Sequence, residues 1–219
     1  MRIQRKEDRH LKKEKNQKML TEAEQRRLAR FEATAAEMER QGYVRQDLTI
    51  DIGKANLVAL LLLIPLFVIG YGLYFLVNRE MRYTGFHAVA FLVGFLVLIV
   101  VHELIHGACW SIFAPHHFRD IEFGVLRSSL TPYCTCLSPL QKGHYIFGTV
   151  MPFLLLGILP MAAGIAAGKQ WILFLGIIMA DSAAGDLMII RKLLKYTSSA
   201  EEIVYMDHPT EAGGVVFER

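Results

Sequence analysis

Cysteine is scarce in this chain: Cys109, Cys134 and Cys136 are the three among 219 residues. So few cysteines exclude a disulfide-dense secreted scaffold. Charge of one sign is missing as well, with 24 Lys and Arg against 21 Asp and Glu, which excludes a uniformly basic nucleic-acid binder. Residues 1–47 contain no proline and a single glycine, Gly42. Most telling are the stretches with no charge at all, 55–77 and 88–101. Hydrophobic residues reach 53 % and the mean hydropathy is +0.31, more than a soluble domain carries. A purely soluble enzyme and a disordered chain are both excluded.

What is present divides unevenly. Residues 1–54 hold 14 of the 24 basic and 10 of the 21 acidic side chains. Their Ala, Glu, Lys, Arg, Gln and Leu content predicts a helix ending near Gly42. Met19, Leu20, Ala23, Leu28, Phe31, Ala35 and Met38 give it only a thin apolar stripe, so the expectation is a solvated, charged cytoplasmic arm. A basic arm holding RNA or a protein partner is the other reading of these residues.

A helix needs about 20 apolar residues to cross a bilayer. Four stretches qualify: 55–77, 87–113, 146–167 and 170–190. Pro65 predicts a kink in the first, and Pro152 and Pro160 predict irregularities in the third. Between the second and third, Ile121, Phe123 and Val125 alternate, as do Tyr133, Thr135 and Leu137, with turn-prone SSLTP between the two runs. This predicts a small β-hairpin. With the N-terminus inside, the arm, Arg119, Arg127, Lys142, Arg191, Lys192 and Lys195 lie inside, against Arg79, Arg82 and Lys169 outside. The basic-residue bias thus predicts both termini and the 114–145 loop in the cytoplasm. The expected architecture is an all-α membrane protein of four transmembrane helices, with a small cytoplasmic β-hairpin and an N-terminal charged helix. Residues 1–54 are then the arm, 55–195 the membrane domain and 196–219 a cytoplasmic tail.

An ionisable group in the hydrocarbon costs roughly 2.5–3.5 kcal/mol on insertion scales and usually has a function or a partner. Five lie well inside these spans: His102, Glu103, His106, Asp181 and Asp186. His102-Glu103-Leu104-Ile105-His106 is HExxH. On a helix, i and i+4 share a face, so His102 and His106 can offer ring nitrogens to one Zn²⁺. Glu103 lies about 100° round, beside the ion, where it can take a proton from zinc-bound water. Two histidines leave a catalytic zinc one protein ligand short. The second and fourth spans run in the same direction, which puts Asp186 at nearly the depth of His106, so Asp186 is the expected third ligand. Asp181, deeper and on another face, remains a partner to a zinc-binding histidine, a substrate-positioning group, or the ligand itself. His116-His117 reads as a polar pair at a membrane boundary; Cys134-Thr135-Cys136 is a weak metal candidate, since both thiols share one strand face with no further Cys nearby, and Cys109 reads as packing.

HELIHG, TPYCTC and SAAGD together resemble the bacterial "putative zincin peptidase" family of small membrane proteins, over about residues 85–210. That family is similar to intramembrane metalloproteases of the site-2-protease type. The resemblance implies His102, His106 and Asp186 as zinc ligands and Glu103 as catalytic acid and base. Leu187 stands where site-2 proteases usually have Gly, and Asp181 is the nearest residue to their upstream Asn.

The function expected is a zinc-dependent intramembrane endopeptidase that cuts membrane-anchored proteins in a bacterial cytoplasmic membrane, with no nucleic-acid partner. A non-catalytic metal-binding adaptor or transporter component is the alternative. A di-iron membrane oxygenase needs more histidine clusters than this chain has.

Overall fold

The computed structural model describes residues 21–80, 88–126 and 131–219. The first twenty residues of the arm, His87 at the mouth of the second span, and most of the hairpin turn lie outside the described residues.

Helix α1, Glu22–Arg40, begins on a capping box: the Thr21 hydroxyl accepts from the Glu24 amide, and the Glu24 carboxylate accepts from the Thr21 amide. It ends before Gly42, whose φ of 90° suits a residue without Cβ. Strand β1 (Val44–Thr49) leads into α2, Ile52–Asn78, capped by the Asp51 carboxylate on the Lys54 amide. Helix α3 covers Ala88–Ser111. The hairpin follows, β2 (Ile121–Leu126) antiparallel to β3 (Thr131–Cys136), with Phe123 opposite Cys134. After the short strand β4 (Leu140–Gln141) come α4 (Lys142–Pro152), a π-helical segment at Phe153–Ile158 and α5 (Leu159–Ala166). The wide turns stand just before Pro160, which cannot donate to the carbonyl four residues back. Helices α6 (Gln170–Ser182) and α7 (Ala184–Lys195) meet at a 47° bend.

Among the described residues three helices are long and apolar enough to cross a membrane, Ile52–Asn78, Phe91–Ser111 and Lys142–Ala166; the bent pair α6–α7 makes a fourth if counted as one span. Pro65 lies inside α2, which continues through it. Large side chains on the outer faces of α2 and α3, among them Leu60, Ile64, Leu76 and Val97, are more than half exposed. Such a belt is too large and apolar to be an ordinary water-facing surface.

The arm and the tail differ from expectation. Residues 196–219 contain two strands, β5 (Ile203–Asp207) and β6 (Gly213–Glu218). They build an antiparallel sheet of order β1-β6-β5-β4, so the build is mainly helical with a four-stranded sheet and not all-α. Alternation decides its two faces. Val215 and Phe217 point toward α1 and pack with Met206, Phe31 and Ala35. Val216 points the other way, into a core with Trp110, Tyr145, Leu193 and Tyr205. The stripe Phe31, Ala35, Met38 on α1 is therefore a docking face, and the arm from Glu22 onward is not free in solvent. The sheet ties the ends of α3, α4 and α7 together at one end of the helices.

Candidate metal centre and its cleft

His102, His106 and Trp110 occupy i, i+4 and i+8 of α3 and so share one face. Both histidines are buried. Asp186 reaches them from the first turn of α7, just past the bend at Ala183. The bend gives Asp186 the positive end of a short helix, which favours its ionised form. His102 Nε2 is 3.1 Å from Asp186 Oδ2, His106 Nε2 is 3.1 Å from His102 Nε2, and His106 Nε2 is 3.5 Å from Asp186 Oδ2. Among the described residues this is the one group of three or more His, Cys, Asp or Glu that could hold a metal ion.

The triangle suits zinc. A tetrahedral ion with bonds of about 2.0–2.2 Å keeps its ligand atoms roughly 3.3–3.5 Å apart. Two imidazoles and one carboxylate are also the donor set of a catalytic site that leaves a fourth position open. The other nitrogen of His106 supports the same arrangement. His106 Nδ1 stands 2.8 Å from the Gly148 carbonyl, which can only accept, so Nδ1 carries the proton. In the neutral ring, Nε2 then presents its lone pair to His102 and Asp186.

Gly148 is what allows that contact. A Cβ there would overlap the Trp110 indole, so glycine lets α4 approach α3 until its carbonyl reaches the imidazole. Trp110 in turn stacks on His106, ring centroids 5.1 Å apart, and donates from Nε1 to the Tyr145 carbonyl at 3.1 Å. The Tyr145 hydroxyl donates to Asp207, which also accepts from the Cys136 amide at 2.8 Å. One tail residue thus fastens the start of α4 to the end of the hairpin. Burial pushes the Asp207 carboxyl up, and the hydrogen bonds from Tyr145 and Cys136 pull it back.

Glu103 is not part of the triangle. Its carboxylate lies next to the backbone of Cys134, on the strand that lies along the cleft. Asp181, on the far side of the bend, does not join the three, and its Oδ1 is buried with no hydrogen-bond partner among the described residues. The thiols of Cys134 and Cys136 form no metal group there either. Burial pushes the Cys136 thiol up to about 12 and the Cys134 thiol higher still, as expected of packed, protonated sulfurs. His116 pairs with Asp120 at 3.2 Å and His117 with the Ser111 carbonyl at 2.9 Å, so both are locally satisfied.

A cleft of about 330 Å³ opens onto these groups. Its floor is His102, Glu103, His106 and Asp186; β3 forms one wall, through Tyr133–Thr135. Arg27 of α1 and the β5–β6 turn complete it. Residues 95–200, which include the whole triangle and Glu103, match the family described as "Putative zincin peptidase". Just under half of the chain is thus similar to that family. The family name implies a zinc-dependent metallopeptidase, and the donor set just described is consistent with one. No curated protein and no solved structure matches the chain. Arg27, Tyr133's partner in the cleft, and Asp207 lie on either side of the zincin peptidase stretch or at its margin, which is why the HExxH pattern alone does not point to them. Gly148 lies within the stretch but carries no signal in sequence beyond being small.

Proposed function

We propose that the protein is a zinc-dependent endopeptidase embedded in a membrane, cutting membrane-anchored proteins near the membrane surface. The observation that carries this reading is the set of three distances, 3.1, 3.1 and 3.5 Å, among His102, His106 and Asp186, with Glu103 beside them. Zinc held there would supply Lewis acidity toward the scissile carbonyl and make a water more acidic. Glu103 takes the proton of the attacking water and returns it to the leaving amine. Among the described residues β3 pairs with β2 alone; on its other edge Pro132 has no N–H and the Cys136 amide is held by Asp207, so it is the carbonyls of that edge that offer acceptors to an extended substrate segment. Extension matters because a helical peptide bond is shielded by its own turn. The belt of exposed Leu, Ile and Val on α2 and α3 and the length of the apolar helices support the membrane setting. Metal analysis of the purified chain tests the reading: one zinc per chain is expected, and a protein that binds none at micromolar zinc rules it out.

Two further outcomes follow from the same reading. Gly148→Ala should weaken zinc binding about 10–100-fold, the usual effect of losing the partner that orients a ligating imidazole. A chelator-competition titration measures it, and a curve superposing on the unchanged protein refutes the role given to the Gly148 carbonyl.

The basic-residue bias puts Glu201 in the cytoplasm and Lys169, in the exposed α5–α6 turn, on the opposite side. With the three native cysteines replaced, an impermeant thiol reagent added to intact cells should label Lys169→Cys and spare Glu201→Cys. The reverse pattern would invert the topology.

A further inference from the structure

The structure gives Arg27 a place in the cleft that its own fold does not use up. It is about 3 % exposed, on a helix whose neighbouring positions Arg26 and Leu28 face outward or only partly inward. Its Nε–H donates to the Pro209 carbonyl at 2.5 Å, which fixes the guanidinium against the β5–β6 turn. Its flat face lies 4.1 Å above the Tyr133 ring. Nη1 is buried and has no hydrogen-bond partner among the described residues. Glu122 is 3.9 Å from Nη1, too far for a hydrogen bond and already accepting from the Tyr133 hydroxyl. A guanidinium stays charged, and a buried N–H without an acceptor is costly. Among the described residues lining the cleft, Arg27 is the one Lys or Arg, whereas Glu103, Asp186, Asp207 and Glu211 are acids.

We propose that Arg27 receives a carboxylate of the peptide substrate, and so selects the segment to be cut; this rests on the peptidase reading above. Placement along β3 sets the register. Tyr133, under Arg27, adjoins Cys134, whose backbone meets Glu103. A strand advances about 3.3 Å per residue and Tyr133 and Cys134 are consecutive, so a substrate lying on the β3 edge carries its carboxylate close in sequence to the scissile bond. The planar fork fits a carboxylate in two parallel hydrogen bonds. The carboxylate is either the free chain end of the substrate or the side chain of an Asp or Glu.

The experiment compares three fluorescent apolar nonapeptides on the full chain in detergent, in a Glu103→Gln background that prevents turnover. One ends in a free carboxylate, one is its C-terminal amide, and one is the amide with a single internal Glu. At least one acidic peptide should bind about tenfold tighter than the neutral amide. A gain confined to the first identifies the chain end as the source, and a gain with the third identifies a side chain. Arg27→Gln should level the affinities. Arg27→Lys, which keeps the charge but not the fork, should restore part of the difference and guards against a variant that does not fold. Equal binding by all three peptides to the Arg27 chain, no binding by any, or a preference that survives Arg27→Gln overturns the proposal. Cleavage of the neutral amide by the Glu103 chain is scored separately. Cleavage without acidic preference spares the peptidase and removes the role of Arg27; acidic preference without any cleavage does the opposite.

Discussion

Glu103→Gln should abolish peptide cleavage and leave one zinc on each chain. The side chain sits outside the triangle formed by His102 Nε2, His106 Nε2 and Asp186 Oδ2, so its charge is not required to hold the ion. Gln has the same shape, so the wall of the cleft beside Cys134 stays in place. What Gln cannot do is take a proton from water at neutral pH. Loss of a positioned general base lowers turnover about 10²–10⁴-fold. Metal analysis and a fluorogenic cleavage assay on the same preparation give both readouts. Zinc lost together with activity would place Glu103 among the ligands, and full activity with zinc retained would assign the proton transfer to another group. The same variant should accumulate uncut membrane proteins bound to it, which mass spectrometry can name.

Asp186→Ala should cost more than about 100-fold in zinc affinity, beyond the 10–100-fold that changes outside the ligand shell produce. The substitution removes the single anionic donor and leaves two neutral imidazoles on α3 with nothing facing them from α7. Helix formation itself should survive, because Ala is the best helix former and Asp186 makes no capping bond to its own helix. Asp181→Ala is the control. Its carboxylate lies five residues back, across the bend, and does not join the three, so zinc affinity should stay within about threefold of the unchanged chain, well short of the effect expected for a ligand. Isothermal titration with zinc decides between them. Strong loss with Asp181→Ala and little with Asp186→Ala would exchange their roles.

Much of this site is visible in the sequence because it depends on local spacing. HExxH fixes two imidazoles on one helical face whatever surrounds them. A charge-free run of twenty residues has few fates, and alternation at Ile121, Phe123 and Val125 marks a strand. Asp186 is reachable by comparing depths along two helices that run the same way, even though α6 and α7 are not one straight helix. The bend has a weak local signature: the Ser182 hydroxyl bonds back to the Met179 carbonyl and Gly185 follows, both of which loosen a helix, but neither alone marks a break. The four-stranded sheet is equally hidden. Its members are five- or six-residue runs such as IVYMD and GGVVFE, plus two residues of β4, too short to tell from loop by period; β5 and β6 form a local hairpin, but their outer edges pair with β4 and β1, far away in the chain. Once β6 is in place, the thin stripe on α1 has a surface to cover, and Arg27 arrives over the cleft as a result.

The pairing of β1 with β6 also sets an order of assembly. Val44 lies opposite Glu218 and Thr49 opposite Gly213, roughly 170 residues apart in the chain. During synthesis β1 emerges early and waits, and α1 has no apolar face to settle on until Val215 and Phe217 have been made. The roof of the cleft therefore closes only after β6 has been made, and until then a nascent chain cannot present a complete binding groove to its neighbours in the membrane. Limited proteolysis of ribosome-bound chains would register this timing: α1 should turn resistant to protease only once Glu218 has cleared the exit tunnel.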